Sequence, residues 1–164
     1  MNTLRAVSLL GATLTMGLAT GAFALYAHTI MPGLKETDDR TFVAAFQSID
    51  RAIINPWFMS SAFIGALLLT LAAVLTNLGR DPLPWVAAAL VLYLVAVVTT
   101  LAVNVPLNDA IKAAGDPDRI GDLAAVRERF HASRWAAWNL VRTLASAGAF
   151  VCLTWALVVY GRTS

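Results

Sequence analysis

Residues 130–160, FHASRWAAWNLVRTLASAGAFVCLTWALVVY, combine a long apolar run with an asparagine and an arginine. From Trp135 to Tyr160 the run is longer than the roughly 20 residues that an α-helix needs to cross a membrane. Arg142 lies about 10 Å inside the first tryptophan of the run, given a helical rise of about 1.5 Å per residue. A charge at that depth is costly unless it is paired or hydrated. The sequence therefore predicts a membrane-spanning helix whose arginine faces the interior of a helix bundle.

The polar side chains of this stretch share one face of the predicted helix. At about 100° per residue, less than half of the circumference holds six residues: His131, Arg134, Trp135, Trp138, Asn139 and Arg142. The opposite face consists of alanine, leucine and valine. This arrangement indicates a polar face that packs inward and an apolar face that contacts lipid.

The composition of the whole chain supports a membrane protein. Its 164 residues are 59% hydrophobic and 13% charged, with a mean hydropathy of +0.69, whereas soluble domains carry about 25% charged residues. The net charge of +2 does not favour a nucleic acid as partner. Cys152 is the one cysteine, so the chain forms no internal disulfide and has no cysteine-based metal site.

Four segments are long and apolar enough to span the bilayer, at about 7–26, 57–78, 85–103 and 135–160. The first also has features of a signal peptide, with Arg5 before it and a small-residue pattern at 22–24, but the residues after it continue the pattern described below. We therefore predict one all-α transmembrane domain over residues 1–164, a four-helix bundle. We expect a multi-pass protein of a bacterial plasma membrane.

The first and third connections are long enough to form a helical cap on one membrane face. Residues 39–54 form an amphipathic helix with Phe42, Phe46, Ile49 and Ile53 on one face and Arg40, Gln47 and Arg51 on the other. A second amphipathic segment begins near residue 122 and is expected to continue into the last span as a single rod. The positive-inside rule favours a cytoplasmic cap, and Arg5 favours the reverse.

Gly17 and Gly21 are four residues apart in the first span. Small residues at this spacing allow two helices to approach closely in lipid. We expect this face to pack on another helix or to form a homo-oligomer.

The order of the spans brings several polar residues to the capped membrane face. The ends of the first and third spans and the starts of the second and fourth lie there. The residues expected to converge are Tyr26, His28, Asn55, Asn104, Asn108, His131 and Arg142. We predict that they surround a cavity under the cap.

Three motifs resemble one family of integral membrane proteins. They are MPGL…DDRTFVAAFQSIDRAIINPWF, VNVPLNDAI and RFHASRWAAWNLVRTL, within residues 17–160. In this order they are similar to the DUF1772 family, also called the anthrone oxygenase family. The resemblance implies a membrane-embedded oxygenase that uses O₂ to oxidise a flat, apolar, anthrone-like polyketide drawn from the bilayer.

The resemblance also suggests roles for the polar residues. His28 or His131 is expected to remove a proton from the substrate, because neutral imidazole is available near pH 7. Arg142, with Asn104, Asn108 or Asn139, is expected to stabilise the resulting oxyanion. Trp135 and Trp138 would flank the rings, with Tyr26 and Asn55 as further substrate contacts. This scheme requires no cofactor.

Two alternatives stay open at this point. In the first, His28 and His131 are ligands of a haem or a copper ion in a membrane redox protein. In the second, the protein is a non-catalytic scaffold, and its cluster of arginine, asparagine and tryptophan is a polar staple that sets the helix register.

Overall fold

The computed structural model describes residues 2–163, which are helical apart from short turns and contain no β-strand. The α-helices are α1 (Asn2–Leu25), α2 (Met31–Lys35), α3 (Asp39–Ile53), α4 (Pro56–Phe58), α5 (Ile64–Thr76), α6 (Leu83–Thr99), α7 (Val105–Ala113), α8 (Leu123–Arg129) and α9 (Ala132–Thr163). Five-residue π-helical turns join α1 to α2, α4 to α5 and α6 to α7, at Tyr26–Ile30, Met59–Phe63 and Thr100–Asn104. A short 3₁₀-helix, Pro117–Arg119, precedes α8.

Four helical stretches are long and apolar enough to cross a membrane, and we call them spans 1 to 4. They are Thr3–Lys35, Pro56–Thr76, Leu83–Ala113 and Leu123–Thr163. In the bundle, α9 packs against α1 and α6, and α5 packs against the same two helices. The structure therefore confirms the predicted all-α membrane fold.

The interior of the bundle contains many alanines beside a few large side chains, and further large apolar side chains face outward. Its interior includes the fully buried Ala12, Ala19, Ala66, Ala89 and Ala149. Small residues allow close backbone approach, which is the main source of helix packing in lipid. Leucines and valines project outward from all four spans, as expected for a surface covered by acyl chains.

The predicted glycine face is divided between two environments. A Cβ atom on Gly17 would lie 3.1 Å from Phe150 Cε2, so this glycine lets α1 and α9 of the same chain pack closely. Gly21 has no atom within 4 Å of the equivalent position and is exposed. Gly17 therefore serves packing within the bundle, and a homo-oligomer through this face stays a prediction.

The cap consists of α3 and α8, which pack on each other and on α7. Asp38 begins α3 as its N-cap, accepting a hydrogen bond from the Thr41 backbone N–H. Phe42, Phe46 and Phe130 form an aromatic cluster in the cap, with ring centroids 4.4 to 6.3 Å apart. This cluster places the cap directly over the capped end of the bundle.

The prediction that Gln47 lies on the outer face of the cap helix was wrong. Gln47 is buried, and its Nε2 donates to the backbone oxygens of Ile111 at 2.8 Å and Gly115 at 3.1 Å. The reason is that the C-terminal end of α7 covers the second face of α3. Both faces of the cap helix are therefore used in packing.

The predicted continuous rod from residue 122 to the last span is interrupted at His131. This residue has a φ of 50°, in the left-handed region that non-glycine residues rarely adopt. The break allows α8 to fold back onto α3 while α9 enters the bundle. His131 therefore lies in the turn and not on the α9 helix.

Three spans contain a π-turn near the capped end. In the first and third, the N–H groups of Met31 and Val105 donate to carbonyls five residues earlier, those of Tyr26 and Thr100. A proline follows each of these turns by two residues. Proline has no N–H, and its ring clashes with the carbonyl four residues before it, so the α-helical spacing cannot continue there. π-Turns occur frequently at functional sites.

Candidate functional site

A pocket of about 180 Å³ lies where the three π-turns, the end of α3 and the start of α9 meet. It is lined by Phe23, Tyr26, Asp50, Ile53, Ile54, Phe58, Met59, Phe63, Thr100, Leu101, Val105, Asn108, Trp135 and Arg142. One buried water needs only about 10–15 Å³, so the pocket is more than a packing gap. Apolar walls with a few polar groups are typical of small-molecule sites.

Arg142 is the cationic residue of this pocket, and it is 6% exposed. Its Nη2 donates to Asn139 Oδ1 at 2.7 Å, and its Nη1 donates to Thr100 Oγ1 at 3.3 Å. The guanidinium carbon lies 4.6 Å from the ring centroid of Phe23 and 5.3 Å from that of Trp135. The prediction of an inward-facing arginine is confirmed.

Neutral groups hold Arg142 in place. Asn139, which is fully buried, donates to the backbone oxygen of Phe23 at 3.1 Å and so keeps its Oδ1 directed at the guanidinium. No carboxylate of residues 2–163 lies within ion-pair distance of Arg142, and its Nε has no hydrogen-bond partner there. A buried guanidinium without an ion pair favours an anionic group in the pocket, because charge is costly in a low-dielectric environment.

A second polar chain connects the pocket to the cap. Trp135 Nε1 donates to Asn108 Oδ1 at 2.6 Å, and Asn108 Nδ2 donates to Asp50 Oδ1 at 2.6 Å. Lys112 Nζ lies 2.7 Å from Asp50 Oδ2 and 3.1 Å from Asp109 Oδ1. The Asn108 amide, which is held by the Trp135 indole, and the Lys112 ammonium therefore fix the buried Asp50 carboxylate from two sides.

Several predicted site residues come together as expected. Tyr26, Asn108, Trp135 and Arg142 line the pocket, and Asn139 supports it from behind. Asn104 is buried next to this group and donates to the backbone oxygen of Trp135 at 3.2 Å, but it does not line the pocket. Its role is to hold α9 against the third span.

Four further predicted site residues also lie outside the pocket. His28 and His131 are exposed, and Trp138 is 40% exposed on the outside of α9. Asn55 is the N-cap of α4, where its Oδ1 accepts from the Phe58 N–H at 2.9 Å. The predicted convergence of both histidines with Arg142 was therefore wrong: His28 projects outward from the π-turn, and His131 lies in the left-handed turn before α9.

The exposed positions also bear on the haem or copper alternative. Two imidazoles on outer faces do not form a ligand pair inside the bundle. Among the described residues, no group of three or more histidine, cysteine, aspartate or glutamate side chains is arranged to hold a metal ion.

The left-handed conformation of His131 leads to a prediction about its substitution. A non-glycine residue in this region costs about 1–2 kcal/mol, and glycine adopts it freely. Because glycine also increases the entropy of the unfolded chain, we expect His131→Gly to leave the free energy of unfolding unchanged or to raise it by up to about 1 kcal/mol. Thermal unfolding in detergent measures this effect. His131→Val should lower the stability, and a loss of stability in the glycine variant would contradict the prediction.

The sequence analysis missed two polar residues of the pocket, Asp50 and Thr100. Asp50 lies in the last turn of α3, and the sequence analysis assigned it no role. Gln47 and Asp50 are three residues apart and both buried, but their burial depends on packing against α7, which the spacing does not predict.

The comparisons with known proteins give one match. The family model described as Anthrone oxygenase matches residues 52–152, which is most of the chain and includes Arg142, Trp135 and Asn108. No curated protein and no solved structure matches the chain.

Proposed function

The chain belongs to the anthrone oxygenase family, and on this basis we propose that it oxidises a flat, apolar aromatic ketone with O₂ inside the membrane. The substrate class is that of an anthrone, a tricycle whose methylene group lies between two aromatic rings and opposite a ketone. The reaction converts the methylene into a second carbonyl. One oxygen atom enters the product and the other leaves as water.

The position of Arg142 is the observation that carries this proposal. Loss of a methylene proton turns an anthrone into an aromatic oxyanion, and the negative charge resides mainly on the former ketone oxygen. A guanidinium that is fixed by Asn139 and Thr100, and that has no carboxylate partner in the part of the chain that the structure describes, suits such a charge. Preorganised donors of this kind act most strongly where water is excluded.

The walls of the pocket suit the rest of the substrate. Phe23, Phe58 and Phe63 offer apolar surface to a tricycle, with the Trp135 ring beside them. Ile54 and Leu101 line the same pocket and are exposed on the outside of the bundle. A substrate dissolved in the bilayer would therefore enter between Leu101 of span 3 and Ile54 at the end of the cap helix, without crossing water.

The chemistry after deprotonation balances without a further reductant. The oxyanion transfers an electron to O₂, the two radicals combine at carbon to give a peroxide anion, and this anion takes back the proton removed in the first step to give a hydroperoxide. Loss of the second methylene proton together with cleavage of the O–O bond forms the carbonyl and releases water. The substrate loses four electrons, and O₂ gains four.

The proposal is tested with purified protein in detergent and anthrone under ¹⁸O₂. We expect anthraquinone to form faster than in detergent alone, with one O₂ consumed and one ¹⁸O atom incorporated per product. Micelles without protein and micelles with heat-denatured protein are the controls, because anthrones also oxidise spontaneously. A rate equal to these controls for folded protein would contradict the proposal.

One observation favours a second function, that of a non-catalytic scaffold. Arg142 links α9 to the third span through Thr100 and to α1 through the Phe23 ring, as a polar staple would. In a scaffold, Arg142 substitutions would alter stability alone. In an oxygenase, they would alter turnover in protein that still folds.

A further inference from the structure

Asp50 is a buried carboxylate on the wall of the pocket that contains Arg142. We infer that Asp50 is the base that removes the substrate's methylene proton, and that the site therefore exchanges such protons with solvent even without O₂. This inference rests on the proposed function, but it adds a distinct activity, the reversible keto–enol interconversion of flat ketones with an acidic C–H bond.

The other titratable side chains of the pocket cannot accept this proton. Tyr26 and Arg142 hold their protons near neutral pH, because a phenol and a guanidinium are both weak acids. Asp50 is the carboxylate among the pocket-lining residues. Since both histidines are exposed outside the pocket, Asp50 is the side chain that is left to act as the base.

The surroundings of Asp50 hold its carboxylate in a fixed orientation. Lys112 Nζ at 2.7 Å from Oδ2 stabilises the negative charge, and Asn108 Nδ2 at 2.6 Å from Oδ1 fixes the plane of the carboxylate. Asn108 is itself held by Trp135 Nε1 at 2.6 Å. The same tryptophan ring contacts the Arg142 guanidinium, so the proposed base and the proposed oxyanion site share one support.

The step is a simple proton transfer. The methylene C–H bond breaks, its electron pair moves through the ring to the ketone oxygen beside Arg142, and the proton goes to an Asp50 oxygen. A carboxylate is a weak base in water, so the step depends on stabilisation of the oxyanion by Arg142. Without O₂, Asp50 returns a proton to carbon and the ketone forms again.

Lys112 gives the proton on Asp50 a path to solvent. Its side chain is 21% exposed, and it also contacts Asp109, which lies on the surface. The ammonium hydrogens exchange with water, so in D₂O a deuteron replaces the proton on Asp50. Lys112 is thus a positioning residue that acts through Asp50.

The test is deuterium exchange of anthrone in D₂O without O₂. Wild-type protein in detergent should incorporate deuterium at the methylene carbon faster than detergent alone, as measured by NMR or mass spectrometry. Asp50→Asn, which keeps the size and the contact with Asn108, should lower the enzymatic exchange rate by about 10²-fold or more. Asp81→Asn is the matched control: it removes an exposed carboxylate in the loop between α5 and α6, outside the pocket, and should leave the rate near that of wild type.

Substitutions of Lys112 separate positioning from folding. Lys112→Met should lower the exchange rate at least tenfold, and Lys112→Arg, which restores a cation beside Asp50, should recover most of it. Quenching of tryptophan fluorescence by anthrone reports binding in each variant. Equal exchange in the methionine and arginine variants would contradict the role given to Lys112.

The outcomes distinguish this inference from the proposed function. Wild-type exchange rates in Asp50→Asn protein that binds anthrone would overturn the inference, even if wild-type protein oxidises anthrone. If wild-type protein neither exchanges nor oxidises anthrone, the proposed function itself fails. Should Asp50→Asn not fold, Asp50→Glu replaces it: moving the carboxylate by one methylene should reduce exchange at least tenfold, and an unchanged rate would likewise overturn the inference.

Discussion

Arg142→Met is expected to lower the rate of anthrone oxidation by about 10²–10³-fold, the usual effect of removing one preorganised oxyanion donor. Methionine retains a long apolar stem but removes the charge that faces the developing oxyanion. It also leaves Asn139 Oδ1 and Thr100 Oγ1 without their donor, so stability should fall as well. Product formation at saturating anthrone, measured on a monodisperse gel-filtration peak, gives the effect on turnover.

The matched control for this experiment is Arg134→Met. Arg134 is an exposed arginine on the same helix, eight residues earlier, so the change removes the same charge outside the pocket. Its turnover should stay within about twofold of wild type, since surface substitutions have small effects. Arg142→Lys should retain part of the activity, because lysine keeps the charge but not the forked geometry. Unchanged turnover in folded Arg142→Met protein would contradict the proposed stabilisation of the oxyanion by Arg142.

Hydropathy and helical spacing were sufficient to predict the spans and the inward-facing arginine. A run of about 20 apolar residues has few alternatives to a membrane helix, and a single deep charge must avoid lipid. Arg142 and Asn139 are three residues apart, less than one turn, so an ideal helical wheel places them correctly. Both are buried in the structure.

The histidines were misplaced because the order of the spans gives the membrane face at which a residue lies, but not the direction of its side chain. His28 lies inside a π-turn, where five-residue hydrogen bonding changes the angle between successive side chains. His131 has a left-handed backbone and is not on the helix from which its angle was calculated. Local backbone departures at the capped end of the bundle therefore decided which polar residues face the pocket.

Asp50 was missed for a different reason. An amphipathic pattern identifies an apolar face, but it does not reveal what covers the polar face. Here α7 packs on that face, and its Lys112 gives Asp50 an ion pair that offsets the cost of burial. Such a partner lies 62 residues away in the sequence, and no local spacing rule predicts the contact.

Trp135→Ala is expected to lower the free energy of unfolding in detergent by about 3–5 kcal/mol, the range for truncation of a large buried aromatic residue. Trp135 is 2% exposed and contacts the rings of Tyr26, Phe46 and Phe130. Its Nε1 also holds Asn108, so its loss removes contacts in both the cap and the bundle. Thermal or denaturant unfolding monitored by circular dichroism measures the change.

Trp138→Ala provides the comparison within the same helix. Trp138 lies three residues later but is 40% exposed, so its truncation should change the stability by no more than about 0.5 kcal/mol. The two variants remove the same atoms, and their difference therefore reports the position of the side chain and not its chemistry. Equal losses from both variants would mean that Trp135 does not join the cap to the bundle. A stability loss confined to Trp135→Ala, together with slower deuterium exchange of anthrone, would instead indicate that the cap both covers the pocket and aligns the Asp50 carboxylate.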